Sequence, residues 1–196
     1  MRRKIILGSA SPRRRELLSQ IGVEFTVKAS EKEEVYHSST PEEIVKELAL
    51  MKAENVVQEL MEEKRNITVI GADTVVVLDE KILGKPRDEE DAVRMLKLLR
   101  GRGHDVYTGV AVIDYDGAGV RRVENQAVRT TVYVHGMSEE EIRAYTGTGE
   151  PADKAGAYGI QGAFAKYIDR IDGDYYNVVG LPVSVVYQTL KTMEVL

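Results

Sequence analysis

Ile67–Leu78 reads ITVIGADTVVVL, a run crowded with Val, Ile and Thr. Branching at Cβ costs rotamer freedom in a helix but packs well on a pleated surface, so this segment predicts a largely buried strand. It turns at Asp79–Lys81 into Ile82 and Leu83. Upstream, Lys4–Leu7 is a short apolar strand that passes through Gly8–Ser11 into a helix, with Ser11 suited to the N-cap, Pro12 to the first helical position and Gly22 to the C-terminal cap. Glu24–Lys28 alternates as a second strand, and Ser30–Ser39 is an acidic loop. Thr40 and Glu43 flank Pro41 as a capping box, opening a long helix with an apolar stripe at Val45, Leu48, Ala49, Val56 and Leu60.

Downstream, Asp88–Arg100 is amphipathic and closes at Gly101. Val106–Tyr115 and Val120–Val134 form a hairpin around Asp116, Gly117 and Gly119, and Ser138 with Glu141 caps another helix. Gly147–Gly180 is rich in Gly and Tyr and carries no clear period. A last helix runs from Pro182 to about Met193. Alternating strands and helices early, with an antiparallel middle, predict an α/β fold with a mixed sheet flanked by helices. The 196 residues suit one domain, 1–196, able to bury roughly 70% of its unfolded surface.

Lys and Arg number 27 against 32 Asp and Glu, a net charge of −5. The chain as a whole therefore repels polyanions and anionic membranes; strong nucleic-acid binding is not expected, and any phosphate site must be a local cluster. With no Cys there is no disulfide framework, thiolate zinc site or cysteine nucleophile, which fits a reducing compartment and makes the cytoplasm the expected location. The apolar start is too short for a targeting signal, and Tyr175–Leu190 is interrupted by Asn177, Gly180 and Pro182, so no membrane span is expected. Neither GxxxxGK[ST] nor GxGxxG occurs, and His37, His104 and His135 lack metal-ligand spacing.

Three features are out of place for stability alone. Arg13, Arg14 and Arg15 fill a helix's first turn, where the dipole disfavours cations; a phosphate docked there, with the Ser9 and Ser11 hydroxyls and free N–H groups, would reverse the sign. Lys52 lies on the apolar stripe, four residues from Leu48 and from Val56, either snorkelling to an edge or serving a site. Asp73 interrupts the central strand on the face of Val69, Gly71, Val75 and Val77, so it needs a hydrogen-bonding partner, a metal or a water to activate. Lys85, in the turn Leu83–Pro86, reads by itself as a solvated loop charge, as does the acidic run Glu31, Glu33 and Glu34. A metal here would be oxygen-ligated, Mg²⁺ or Mn²⁺, using Asp73 with a loop glutamate, waters and substrate phosphate.

SASPRRRELL at Ser9–Leu18, LALMKAE at Leu48–Glu54, GADTVV at Gly71–Val76 and LGKP at Leu83–Pro86 together resemble the Maf family of nucleoside triphosphate pyrophosphatases. GHDVYTGV at Gly103–Val110, DKAGAYGIQG at Asp153–Gly162 and NVVGLP at Asn177–Pro182 extend the match over nearly the whole chain. The resemblance implies an elongated, twisted mixed sheet with a cleft between two lobes, and metal-dependent hydrolysis of a nucleoside triphosphate to the monophosphate and pyrophosphate. Ser9, Arg13 and Arg14 would hold phosphates, Lys52 and Lys85 would complete the clamp, and Asp73 matches the family's catalytic aspartate, acting as proton acceptor or through the metal.

YGIQG resembles the branch acting on dTTP and UTP, in which Arg13, Thr74 and Gln161 match positions linked to base choice. The Gln161 amide can accept from N3–H of thymine or uracil and donate to a ring carbonyl. Modified pyrimidine nucleotides are implied as further substrates, and relatives are often dimeric, so a homodimer is expected. Two departures stand out: Ser30–Val35 reads SEKEEV where the family usually has Asp-Glu, leaving Glu34 or Glu33 as the second metal ligand, and Gly8 replaces a commoner Ala. A regulatory protein linked to septum formation, and a phosphate-binding module without chemistry, are the rival readings; the latter has no need of Asp73.

Overall fold

The computed structural model describes residues 3–29, 32, 34–60 and 65–196. Among the described residues seven strands form one mixed sheet: β1 Lys4–Leu7, β2 Thr26–Val27, β3 Ile67–Leu78, β4 Lys81–Leu83, β5 Gly103–Tyr115, β6 Arg121–Val134 and β7 Ile168–Asp172. Their order is β2-β1-β3-β5-β6-β7, with β4 paired to β3. β1 runs parallel to both β2 and β3, while β4 on β3 and β7 on β6 are antiparallel. The helices are α1 Pro12–Gln20, α2 Pro41–Glu59, α3 Glu89–Leu99, α4 Glu139–Thr146, α5 Tyr175–Val179 and α6 Val183–Thr192. The expected mixed α/β class is the observed one. Among the described residues no helix is long and apolar enough to cross a membrane.

The chain divides into two compact units. The first comprises Met1–Asp73, Thr108–Val128 and Gly180–Leu196. Its core joins Ile6, Ile67 and Val69 to Ala111 and Ile113 of β5 and to Ala49, Ala53 and Val56 of α2. Two glycines allow this packing. A Cβ on Gly71 would lie 2.2 Å from the Ala49 carbonyl oxygen, and one on Gly109 would lie 2.0 Å from that of Val45. Backbone therefore meets backbone where α2 crosses β3 and β5. Deeper in this unit Asp114 is fully buried, bonded by Arg3 Nε at 3.0 Å, Arg122 Nη2 at 2.8 Å and Thr68 Oγ1 at 2.7 Å. Burial pushes its pKa up, and the bonds from Arg122, Thr68 and Arg3 outweigh this, holding it below the usual carboxylate range.

The second unit comprises Thr74–Tyr107 and Arg129–Val179. Val76, Leu96, Leu99, Val132, Ile142 and Phe164 are among its buried residues, with α3 and α4 in mutual contact. Phe164 anchors an aromatic group, its ring centroid 4.7 Å from that of Tyr158 and 5.1 Å from that of Tyr145. Ser138 and Glu141 make the full reciprocal capping box at α4.

Several local expectations need correction. Glu24–Lys28 is a strand only at Thr26–Val27, because both residues are exposed at the sheet edge and little burial rewards a longer ladder. Thr40 caps α2 by accepting from Glu43 N at 3.4 Å, but the Glu43 carboxylate pairs with Lys46 at 3.0 Å instead of reaching back. Ser11 occupies the N-cap of α1 without a side-chain bond there. The unassigned stretch before Gly180 contains short 3₁₀ turns, β7 and α5.

Two stability predictions follow from this packing. Gly71→Ala and Gly109→Ala should each lower unfolding free energy by about 1–3 kcal/mol, since an added methyl meets helix backbone that cannot yield as a side-chain tip can. Gly136→Ala, with nothing within 4 Å, should leave urea midpoints unchanged. The second concerns His104, 3% exposed with Nε2 2.7 Å from the Tyr158 hydroxyl. Burial lowers its pKa to about 4, Asp105 opposing. The unfolded chain therefore takes up this proton first as pH falls: the contribution is whole above the ordinary histidine value near 6.5 and drains away toward pH 4, by about 3 kcal/mol. Urea unfolding across pH 4–7 should show that slope in the parent and a flatter one in His104→Gln.

Candidate active site

β1 and β3 run side by side in the first unit, paired from Lys4↔Ile67 to Leu7↔Ile70, so the chain leaving β1 lies beside Gly71–Asp73. Gly8 N extends this ladder to Ile70 O at 2.7 Å. Ser9, which follows, is buried, and its Oγ accepts from Ser11 N at 3.3 Å and from Arg14 Nη1 at 3.1 Å. Arg14 also donates from Nη1 to Ala72 O at 2.9 Å and from Nε to Gly180 O at 2.7 Å. One guanidinium thus clasps the β1–α1 turn, the middle of β3 and the start of the segment leading to α6. Burial lowers the Arg14 pKa and Arg13 adds to that, while Asp73 and Glu34 oppose it, which places all four in one electrostatic neighbourhood.

Asp73 is two residues beyond Gly71 on β3 and therefore on the same face. Gly71 brings α2 close enough that Lys52, beside Ala53, reaches this face with its ammonium: Nζ is 2.6 Å from Asp73 Oδ1 and 3.0 Å from Glu34 Oε1. The side chains of Lys52 and Asp73 are 19% and 13% exposed and that of Glu34 is 51% exposed. Lys52 thus points from the apolar stripe to a carboxylate pair. A mostly buried acid is compensated here by a cation and shares it with a second acid at the surface.

The structure thus brings Ser9 together with Arg14, and Lys52 together with Asp73 and Glu34. Arg13 is half-buried beside Arg14 in the first turn of α1, and Arg15 is exposed. Glu31 and Glu33 lie outside the described residues. The second unit holds the rest. Thr74 is half-buried in β3. Lys85 is exposed on the turn after β4, where Gly84 O accepts from Gly156 N at 3.0 Å. Gln161 is exposed on the turn Gly159–Gly162, closed by Gly162 N to Gly159 O at 3.2 Å.

Asp73 and Glu34 present only oxygen donors and already converge on one cation, which suits Mg²⁺ or Mn²⁺. Among the described residues no group of three or more His, Asp or Glu side chains is placed to hold a metal ion. Two carboxylates alone fit an ion that keeps waters and takes phosphate oxygens for its remaining positions. Sequence reasoning did not find the clasp of Arg14 on Gly180 and Ala72, because its acceptors are backbone carbonyls and leave no mark on residue type. It also missed Glu150, whose carboxylate accepts from Ala163 N at 2.9 Å beside the Gln161 turn.

The clasp gives a measurable expectation. Arg14→Lys keeps the charge but loses the fork that serves three acceptors, so unfolding free energy should drop by about 1–3 kcal/mol in urea titrations, whereas Arg15→Ala should change it by less than about 0.5 kcal/mol.

A family model described as Maf-like protein matches residues 4–193. A protein of Agathobacter rectalis named dTTP/UTP pyrophosphatase is 48% identical over 201 residues, covering 98% of each chain. One of Dictyoglomus turgidum with the same name is 53% identical over 184 residues, covering 93% of this chain and 92% of that one. Among solved structures, the Staphylococcus aureus Ham1 protein superposes with a TM-score of 0.50 at 14% identity, over 97% of this chain and 100% of that one, a likeness of fold.

Proposed function

The chain belongs to the Maf-like protein family, and on that footing we propose that it is a divalent-metal-dependent nucleoside triphosphate pyrophosphatase acting on dTTP and UTP. The observation that carries the proposal is the grouping of Lys52, Asp73 and Glu34 in the neighbourhood of the Ser9–Arg14 clasp. A mostly buried carboxylate held by an ammonium, next to arginines at a helix start, has a use in phosphate chemistry that a regulatory or nucleic-acid-binding protein does not require.

In this reading Ser9 and Arg13 bind phosphate oxygens, and Arg14 adds positive field from its braced position. Lys52 orients Asp73 and meets phosphate charge, and Lys85 supplies a further cation. Asp73 takes one proton from the attacking water as the α–β anhydride breaks and pyrophosphate leaves with the bridging oxygen. Asp73 and Glu34 would hold Mg²⁺ or Mn²⁺, which when bound supplies charge neutralisation and polarisation. Arg13, Thr74 and Gln161 select the base, with the Gln161 amide complementing N3–H and a ring carbonyl of uracil or thymine; modified pyrimidines with that edge are further substrates. A homodimer is proposed from the family resemblance, with light scattering as its check, and a cytoplasmic setting from the lack of Cys.

The decisive experiment incubates the protein with dTTP, UTP, CTP, dATP and dGTP and Mg²⁺ or Mn²⁺, and follows pyrophosphate and monophosphate. Turnover should favour dTTP and UTP and stop on chelation. Asp73→Asn should lose roughly 10²–10⁴-fold in kcat while keeping its far-ultraviolet circular dichroism. Orthophosphate as first product would indicate γ cleavage and sink the reading.

A further inference from the structure

Gln161 sits on a four-residue turn containing two glycines, a setting in which an amide meant to read a base edge would not hold its direction unaided. The turn is bracketed by one side chain in the same unit. Glu150 Oε1 accepts from the Tyr145 hydroxyl at 2.9 Å, and that hydroxyl in turn receives Gly159 N at 3.4 Å. Glu150 Oε2 accepts from Ala163 N at 2.9 Å, on the far side of Gln161. One carboxylate thus grips both ends of the segment, one of them through a phenol.

The grip is itself anchored. Lys154 Nζ donates to Glu150 O at 2.7 Å and to Asp153 Oδ1 at 2.7 Å, and Glu150 N donates to Thr148 Oγ1 at 3.2 Å. Tyr145 is buried against Phe164, and burial together with Glu150 pushes its pKa up, so the phenol remains a donor at any working pH. The approach is close. A Cβ on Gly162 would lie 2.2 Å from Glu150 Oε1, so any larger residue there displaces the carboxylate. Both carboxylate oxygens are engaged by neutral donors, one a phenol on α4 and the other a backbone N–H just past the turn.

We propose that Glu150, acting with Tyr145, is the positioning residue for base selection: its carboxylate fixes the Gly159–Ala163 turn so that Gln161 meets the pyrimidine edge in one orientation. This rests on reading Gln161 as the base-discriminating group. Glu150→Gln replaces one acceptor by an amide NH₂ that faces a donor, and so breaks the bracket at constant size. Tyr145→Phe removes one oxygen and leaves the ring packed, which keeps the test open should the first variant fold poorly.

The measurement is kcat/KM for dTTP, UTP and CTP with pyrophosphate as readout, for the parent, Glu150→Gln, Tyr145→Phe, Gln161→Ala and the double variant Glu150→Gln/Gln161→Ala. Glu150→Gln should reduce the dTTP-to-CTP ratio about tenfold, mainly through KM for dTTP, with pyrophosphate still the product. Tyr145→Phe should move the ratio the same way by a smaller factor. The double variant should show the ratio of Gln161→Ala alone, a coupling that general loosening of the fold would not produce. A Gln161→Ala ratio that drops while those of both Glu150→Gln and Tyr145→Phe stay at the parent value overturns the positioning role. A parent-like ratio in Gln161→Ala removes instead the base reading beneath it.

Discussion

Helix α2 meets the sheet of the first unit at Gly71 and Gly109, where the carbonyls of Ala49 and Val45 lie within 2.2 and 2.0 Å of where a Cβ would stand. That approach is set by atoms that are missing, and the site's electrostatics depend on it. Lys52 is one residue from Ala53 and Asp73 two from Gly71; a helix lifted by even a methyl would carry the ammonium away from a mostly buried acid. An uncompensated carboxylate at 13% side-chain exposure is costly, so packing and charge pairing in this region stand or fall together.

The same unit contains a second acid in an apolar strand, and the contrast explains what each is for. Asp114 is fully buried and bonded by two arginines and a threonine, so both oxygens have internal donors. Asp73 has the Lys52 ammonium on Oδ1, shares that ammonium with the half-exposed Glu34, and keeps some exposure to solvent. Sequence pattern alone does not separate the two, because each interrupts a β-branched or aliphatic run. The partners do: a saturated acid ties the core, whereas a partly exposed acid paired to a flexible amine can exchange its partner for a ligand.

How much was legible in the sequence follows from where the determining forces sit. The ends of β3 are legible because Val, Ile and Thr crowd both halves of the run, and Gly71–Asp73 between them is too short to break it. The close of α3 at Gly101, the capping box of α4 and the placing of Lys52 on the buried stripe are legible for a similar reason, as local rules with fixed spacing, whereas the Asp88 N-cap of α3 is not singled out. β2 shrank to two residues because strand length at an edge depends on what covers it. β7 went unseen because IDRID is charged enough to read as a loop, and its strand character comes from pairing with Thr131–Val134. In the site, Asp73 and Lys52 betrayed themselves by being charged where neighbours are apolar. Glu150 did not, since an acid among Gly, Pro and Asp is ordinary and its partners are a backbone N–H thirteen residues away and a phenol on the preceding helix.

The arginine triplet at the start of α1 is the feature that local helix energetics oppose most directly, and the structure shows how the opposition is met. Arg14 turns from the helix end and spends its N–H groups on Ser9 Oγ, Ala72 O and Gly180 O, neutral acceptors from three separate segments. Arg15 faces solvent, where repulsion is screened. Arg13 remains half-buried beside a guanidinium whose pKa is lowered first by burial and then by the Arg13 charge. Within the fold that repulsion is opposed by Asp73 and Glu34, whose charges act on Arg14 in the opposite sense. On the proposed reading a phosphate reaching this helix start would add to that offset, because the helix dipole favours an anion there.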